Sequence, residues 1–268
     1  LSKSKEEKLL SMGTISEGDG GYLGIVNSDE IPTMLFYSDD KGGAISIFNS
    51  EMKKTFGVNV GDDGGGKLNT YNSEGQQTSF VGTGLLDSGQ IITYNSEGEM
   101  TSIVGTGKNN GGIVQLLHSD GKNSSLLGSG SNGGFLKTYN TNGEKIFHAG
   151  GSETGGYLSI HHLNGTITAL LGNLGDNGFL SMYNQQGNET ISLFTNEQGG
   201  NLKTVSSQGN PTNYLGSLEN GGNIITYNKN GNEANHLGAD ENGGILSSYN
   251  TNRDMTFTIG SNEQGGNL

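Results

Sequence analysis

Apolar side chains recur in this chain at fixed intervals on a polar background. Aromatic–Asn pairs mark the period: Tyr71-Asn72, Tyr94-Asn95, Tyr139-Asn140, Tyr183-Asn184, Tyr227-Asn228 and Tyr249-Asn250. Degenerate pairs fill the gaps: Val26-Asn27, Phe48-Asn49, Leu117-His118, His161-His162 and Val205-Ser206. Successive pairs are 22 residues apart once, 23 apart three times, then 22 apart six times. Chance does not produce such a register.

Let the first residue of each pair be position zero. Position −3 is then branched aliphatic in every copy, from Leu23 through Leu136, Leu180 and Ile224 to Leu246. Position +10 is mostly aliphatic, as in Val81, Leu127, Leu171, Leu215 and Ile259. Glycine holds +4 from Gly75 through Gly143 and Gly187 to Gly231, and Arg253 breaks the row. Threonine favours +7, as in Thr78, Thr101, Thr168, Thr190, Thr212 and Thr256. Glycine is common at +11, a four-residue polar loop follows, and a Gly pair opens the next unit.

Each unit therefore predicts two short strands and two turns. The first strand, near 135–140, alternates so that Leu136 and Thr138 share one face and Phe135, Lys137 and Tyr139 the other. The turn follows at 140–143, where Gly143 supplies the positive φ that tight turns need. The second strand runs near 145–149. Helix is excluded for the body, because glycine every few residues costs about 1 kcal/mol each. The predicted fold class is all-β. It is a repetitive β-solenoid or β-prism fibre of about eleven two-strand repeats, intertwined or packed as a homotrimer. An antiparallel meander of hairpins fits the same pattern, and the sequence leaves strand direction open.

The repeat is thin in large apolar residues, and both strand faces carry some. An isolated unit would leave one face wet, so several identical chains are expected to share a core. Residues 1–13 read as a short helical or coiled-coil-like segment or a tail, with Leu9, Leu10 and Met12 as its apolar residues. Residues 14–268 are the repeat array. Its last residues, 262–268, copy 196–202, the opening of a unit, so the array is expected to continue beyond Leu268. The chain opens on Leu1 rather than Met, and an upstream segment is expected.

Composition narrows the function classes. Glycine is 49 of 268 residues, charge is only 15%, and there is no Cys. Disulfides and thiolate sites are excluded, which fits an oxidising exterior. The net charge of −13 disfavours nucleic acid and anionic membrane as partners, and no apolar run is long enough to span a bilayer. His118, His148, His161, His162 and His236 occupy ordinary repeat slots and form no constellation. No nucleophilic triad, paired carboxylate or phosphate loop is discernible, so no enzyme is expected.

Two rows hold candidate chemistry. Glu153, Glu197, Glu219, Glu241 and Glu263 share one loop register, with Asp176 one place off. Stacked carboxylates repel unless a cation intervenes, so these are weak candidates for calcium. The competing reading is a solvated row, and no cofactor is otherwise expected. The +7 threonines suggest ice binding, but Ile146 and Ala234 interrupt them. The +1 row, with Asn140, Asn184 and Asn228, reads as a structural ladder whose amides bond to the turn or to each other.

The phrase Gly-Gly-x-Leu-x-x-Tyr-Asn-x-x-Gly-x-x-Thr-x-x-Leu-Gly, seen with variation at 221–238, resembles glycine-rich shaft repeats of trimeric tail-fibre-like and bacterial surface-fibre proteins. The Tyr-Asn-x-x-Gly core is also similar to the tyrosine-aspartate repeats of large toxin shells, with Asn here for Asp and without the usual Arg after Gly. Neither resemblance brings catalytic residues. The first implies a stiff structural shaft of an extracellular, cell-surface or virion fibre, self-associating as a homotrimer and longer fibre. The alternative is a repeat surface that binds a glycan, a cell-surface receptor or ice. The aromatic residues at −4 (Tyr22, Phe135, Tyr157, Phe179) discriminate: burial favours the shaft, an open aromatic groove favours glycan binding.

Overall fold

A computed structural model describes residues 10–14, 20–84, 87–107, 110–219, 221–241, 243–262 and 265–267. Those residues form strands and turns only, with no helix among them. The chain divides into two compact units. One comprises 1–131 with 141–143, the other 132–140 with 144–268.

Inside each unit every strand pairs antiparallel with its neighbour in sequence. In the first, the run extends from Leu10–Thr14 to Asn123–Gly130. In the second, it extends from Gly133–Tyr139 to Gly265–Asn267. A solenoid coil would pair each strand in parallel with its counterpart one repeat away. The observed pairing is antiparallel, so each repeat is a hairpin of a meander rather than a stacked coil. The short connections allow it: two residues can join adjacent antiparallel strands, whereas adjacent parallel strands need a crossover of a dozen or more.

The Asn-containing turn is built the same way at successive repeats. At Asn72 the backbone N–H donates to the carbonyl of Gln76, and the Gly75 N–H donates back to the Asn72 carbonyl. The strand register shifts just before it, between Thr70 and Tyr71. This matches a turn closed by a left-handed residue in a bulge. The residue at +4 carries the positive φ, at 85° in Gly143, 82° in Gly187 and 77° in Gly231. Glu30, Met52 and Arg253 adopt it without being glycine, at 60°, 60° and 72°.

The opposite connection comes in two lengths, which explains the two repeat spacings. Where the spacing is 22, two residues suffice: Ser152 pairs with Gly155, and Asn196 with Gly199. Where it is 23, Val60 pairs with Gly66 and Thr83 with Gly89, across five residues. There Gly61 donates to the Gly65 carbonyl and Gly64 to the Gly61 carbonyl, as in the Asn turn. Counted from the same register pair, Gly151 with Gly156 and Val60 with Gly66, the connection holds four residues in one case and five in the other, so one inserted residue has exchanged one turn type for another without shifting the aliphatic register.

Of the segment 1–13, residues 1–9 lie outside the described residues. Leu10–Thr14 is a strand rather than a helix. It pairs Met12 with Leu23 and so extends the same aliphatic row.

Candidate functional site

Within each unit positions −3 and +10 face each other from strand to strand. In the second unit the row runs Leu136, Ala149, Leu158, Leu171, Leu180, Leu193, Leu202, Leu215, Ile224, Leu237, Leu246, Ile259, each directly opposite the next. The first unit carries its own row from Met12 and Leu23 through Val81 and Ile91 to Leu127. Directly opposed aliphatic pairs stabilise a sheet from one face. No further layer of the described chain covers that face. Leu171, Leu215 and Leu237 remain 50%, 49% and 51% exposed.

Around Leu171, Leu193, Leu215 and Leu237 the row floors a groove of about 990 Å³. Gly178, Gly200 and Gly222, all at −5, line it beside the aliphatic floor. Thus the predicted residues Leu136, Leu180 and Ile224 belong to one continuous apolar ladder.

The other face buries itself. Among the described residues of the second unit the buried side chains are Ser159, Ser181, Ser192, Asn201, Asn223, Ile225 and Ser247, and by strand alternation all lie opposite the ladder. Longer neighbours close over them. The Tyr214 hydroxyl donates to Asn201 Oδ1, and a His236 ring nitrogen contacts Asn223 Oδ1. The glycines at +11 make room on this face. A Cβ at Gly150 or Gly172 would stand 3.0 Å from the Cβ of Phe135 or Tyr157.

Tyr139, Tyr183 and Tyr227 are half-buried at the strand ends. Burial pushes the hydroxyl pKa of Tyr139 and Tyr227 up, with Glu233 and Tyr214 adding to it at Tyr227. The Asn side chains serve the turn. Asn184 Oδ1 accepts from the Gln186 and Asn188 N–H groups at 3.0 Å each, and Asn228 Oδ1 from Asn230 and Asn232 at 3.0 and 3.2 Å. Asn140 Oδ1 accepts from the Glu144 N–H at 2.9 Å, and its Nδ2 donates to Glu144 Oε2 and the Leu163 carbonyl.

Four histidines have separate partners, and His118 Nε2 is buried with no hydrogen-bond partner. The His148 ring meets Phe135 and Tyr157 edge-on, with the Tyr157 hydroxyl 2.7 Å from Nδ1. Burial, with the positive charge of Lys137, Lys145 and His161, pulls the His148 pKa down to about 4. His161 Nε2 lies 2.9 Å from Ser159 Oγ, and His162 Nδ1 lies 3.2 Å from Asn164 Oδ1. Phe135 and Tyr157 are thus held in the chain's own cluster. Phe179 lines a smaller pocket of about 390 Å³ with Tyr183, Ser181 and Glu189, where Ser181 Oγ donates to Glu189 Oε2 at 3.0 Å.

Glu153, Glu197, Glu219 and Glu241 are exposed, each at the first position of a two-residue connection. Glu263 lies outside the described residues. Among the described residues no three His, Asp or Glu side chains converge on a point. The meander is the cause. Connections on one edge recur every second strand, about 9.6 Å apart, not at the single-strand spacing of a coil.

No protein-family model matches this chain, and no curated protein does. Among solved structures, "Crystal Structure of TcdB2-TccC3" aligns at 8% identity and a TM-score of 0.23, over 92% of this chain and 17% of that one. A second, "Crystal Structure of TcdB2-TccC3 without hypervariable C-terminal region", aligns at 9% identity and a TM-score of 0.23, over 93% and 18%. The chain thus spans about a sixth of the length of the structures it matches. At such scores the likeness establishes no shared fold.

Proposed function

We propose that this chain is a structural shaft segment of an extracellular, cell-surface or virion fibre, built from several identical copies and, in its closed form, a trimer. The observation that carries the reading is the unbroken −3/+10 register within each unit. Strand after strand places the same aliphatic contact at the same height and returns through the same turn. Such a geometry extends a stiff body by repetition and holds whatever follows it at a distance. The test is mass in solution by light scattering, with particle shape by negative-stain microscopy. The expected result is a uniform particle of three chain masses, rod-shaped and resistant to dilution. A stable, monodisperse single chain would overturn the proposal.

A further inference from the structure

The −5 glycines have no explanation inside the chain. All eleven repeats carry one, including Gly156, Gly178, Gly200, Gly222 and Gly244 in the second unit. The neighbouring glycine at −6 is different. Gly199, Gly221 and Gly243 have φ of 136°, 138° and 136°, so the turn requires them. The −5 glycines have no positive φ. They are not spared for a close neighbour either, because a Cβ on Gly178, Gly200 or Gly222 meets no atom within 4 Å. A strand loses stability with glycine at such a site, since glycine has the largest backbone entropy to lose and no side chain to pack. The remaining physical reason for a bare backbone is a body that approaches from outside.

These glycines lie on the ladder face, two residues from each −3 aliphatic, and Gly178, Gly200 and Gly222 line the same groove. We infer that the aliphatic ladder and its glycine row form the seam against which further copies of this chain pack, the ladder side chains of one copy seating over the glycines and between the ladder residues of another. The inference rests on the self-associating shaft proposed above and specifies which surface associates. Three observations select a copy of this chain as occupant. The row has the inter-strand period of about 4.8 Å, and another sheet of the same chain has that period too. The strip from position −5 to −1 is about 14 Å wide, and twelve strands make it about 58 Å long, roughly 800 Å². That is about one partner's share of a standard stable interface, roughly 800 Å². The strip is also free of charge. The acids lie in the connections or on strand positions outside this strip, in a chain of net charge −13, so an anionic lipid surface would be repelled.

Two sets of variants test the seam. The first carries Gly178→Val, Gly200→Val and Gly222→Val together. Each new side chain enters open space in the single chain, and valine is a better strand former than glycine. The second carries Leu215→Glu with Leu237→Glu, at half-exposed sites. Both are expected to keep the strand signal in circular dichroism while the mass in light scattering falls to one chain. Because the chain has no Cys, single cysteines at Leu171, Leu193, Leu215 and Leu237 supply an independent arm. Mild oxidation is expected to link chains at one or more of these sites, and not at Gln186→Cys in an exposed turn. Should a multiple variant lose its strands, the cysteine scan decides. A wild-type assembly that survives both sets and forms no ladder cross-link overturns the seam but leaves the shaft. A wild-type single chain, including one that carries bound fatty acid, overturns both.

Discussion

At Gly165 the backbone φ is 82°, and a Cβ there would meet no atom within 4 Å. At Gly216 no positive φ is involved, and a Cβ would collide with Asn201 Oδ1. The two glycines answer to different physics, and alanine separates them. Gly165→Ala is expected to cost about 1–2 kcal/mol through the left-handed backbone alone. Gly216→Ala is expected to cost about 1–3 kcal/mol through overpacking, and Asn201→Ala should relieve most of it while leaving the Gly165→Ala loss unchanged. Chemical denaturation of the single and double variants measures both, and equal coupling at the two sites would contradict the assignment. His148 gives a pH signature. Its pKa falls from 6.5 unfolded to about 4 folded, so only the unfolded chain takes up the proton between those values. Stability from the neutral ring is present above pH 6.5 and lost as pH falls toward 4. His148→Gln should flatten the melting temperature over that window, and an unchanged slope would remove His148 as its source.

Among the elements, the turns were the most legible in the sequence and the loop row the least. Asn-x-x-Gly announces its turn because the amide has N–H partners two and four residues on, and the glycine accepts a φ that other residues resist. Arg253, Met52 and Glu30 adopt the same φ, so the turn outlasts the loss of its glycine. Strand direction was not legible. Parallel coils and antiparallel hairpins ask for the same alternation and the same turn residues, and only pairing distinguishes them. That choice decides the acidic row. Connections about 9.6 Å apart hold the acids at twice the spacing a coil would give, and calcium takes oxygens at about 2.3–2.6 Å. Millimolar calcium is accordingly expected to leave the melting temperature unchanged, as read by differential scanning calorimetry against EDTA. A rise of several degrees would show that the loops do gather an ion.

At the scale of the whole molecule the two faces diverge. One face closes over small polar residues such as Ser247, which is wholly buried, while the other leaves its aliphatic row half-exposed. Counting apolar residues per repeat had already suggested that one chain cannot bury both faces. Which face stays open was not readable, because the sequence puts large apolar residues on both, Leu136 on one and Phe135 and Tyr139 on the other. Phe135 and Tyr157 are half-buried over Gly150 and Gly172 of their own sheet, and Phe179 is half-buried in the pocket it lines with Ser181 and Ser192. The ladder's aliphatic residues, about one per strand, have no layer of described residues above them.

The sequence by itself determined the local pattern: strands, turns, register and the identity of the ladder. Each of these depends on a period or on one residue's φ, and both are written in order along the chain. Tertiary structure alone decided three further matters. It set strands antiparallel, moved the acids two strands apart, and showed that the −5 glycines face open space. These follow from which segments lie side by side, and a one-dimensional period is the same for every arrangement that preserves it.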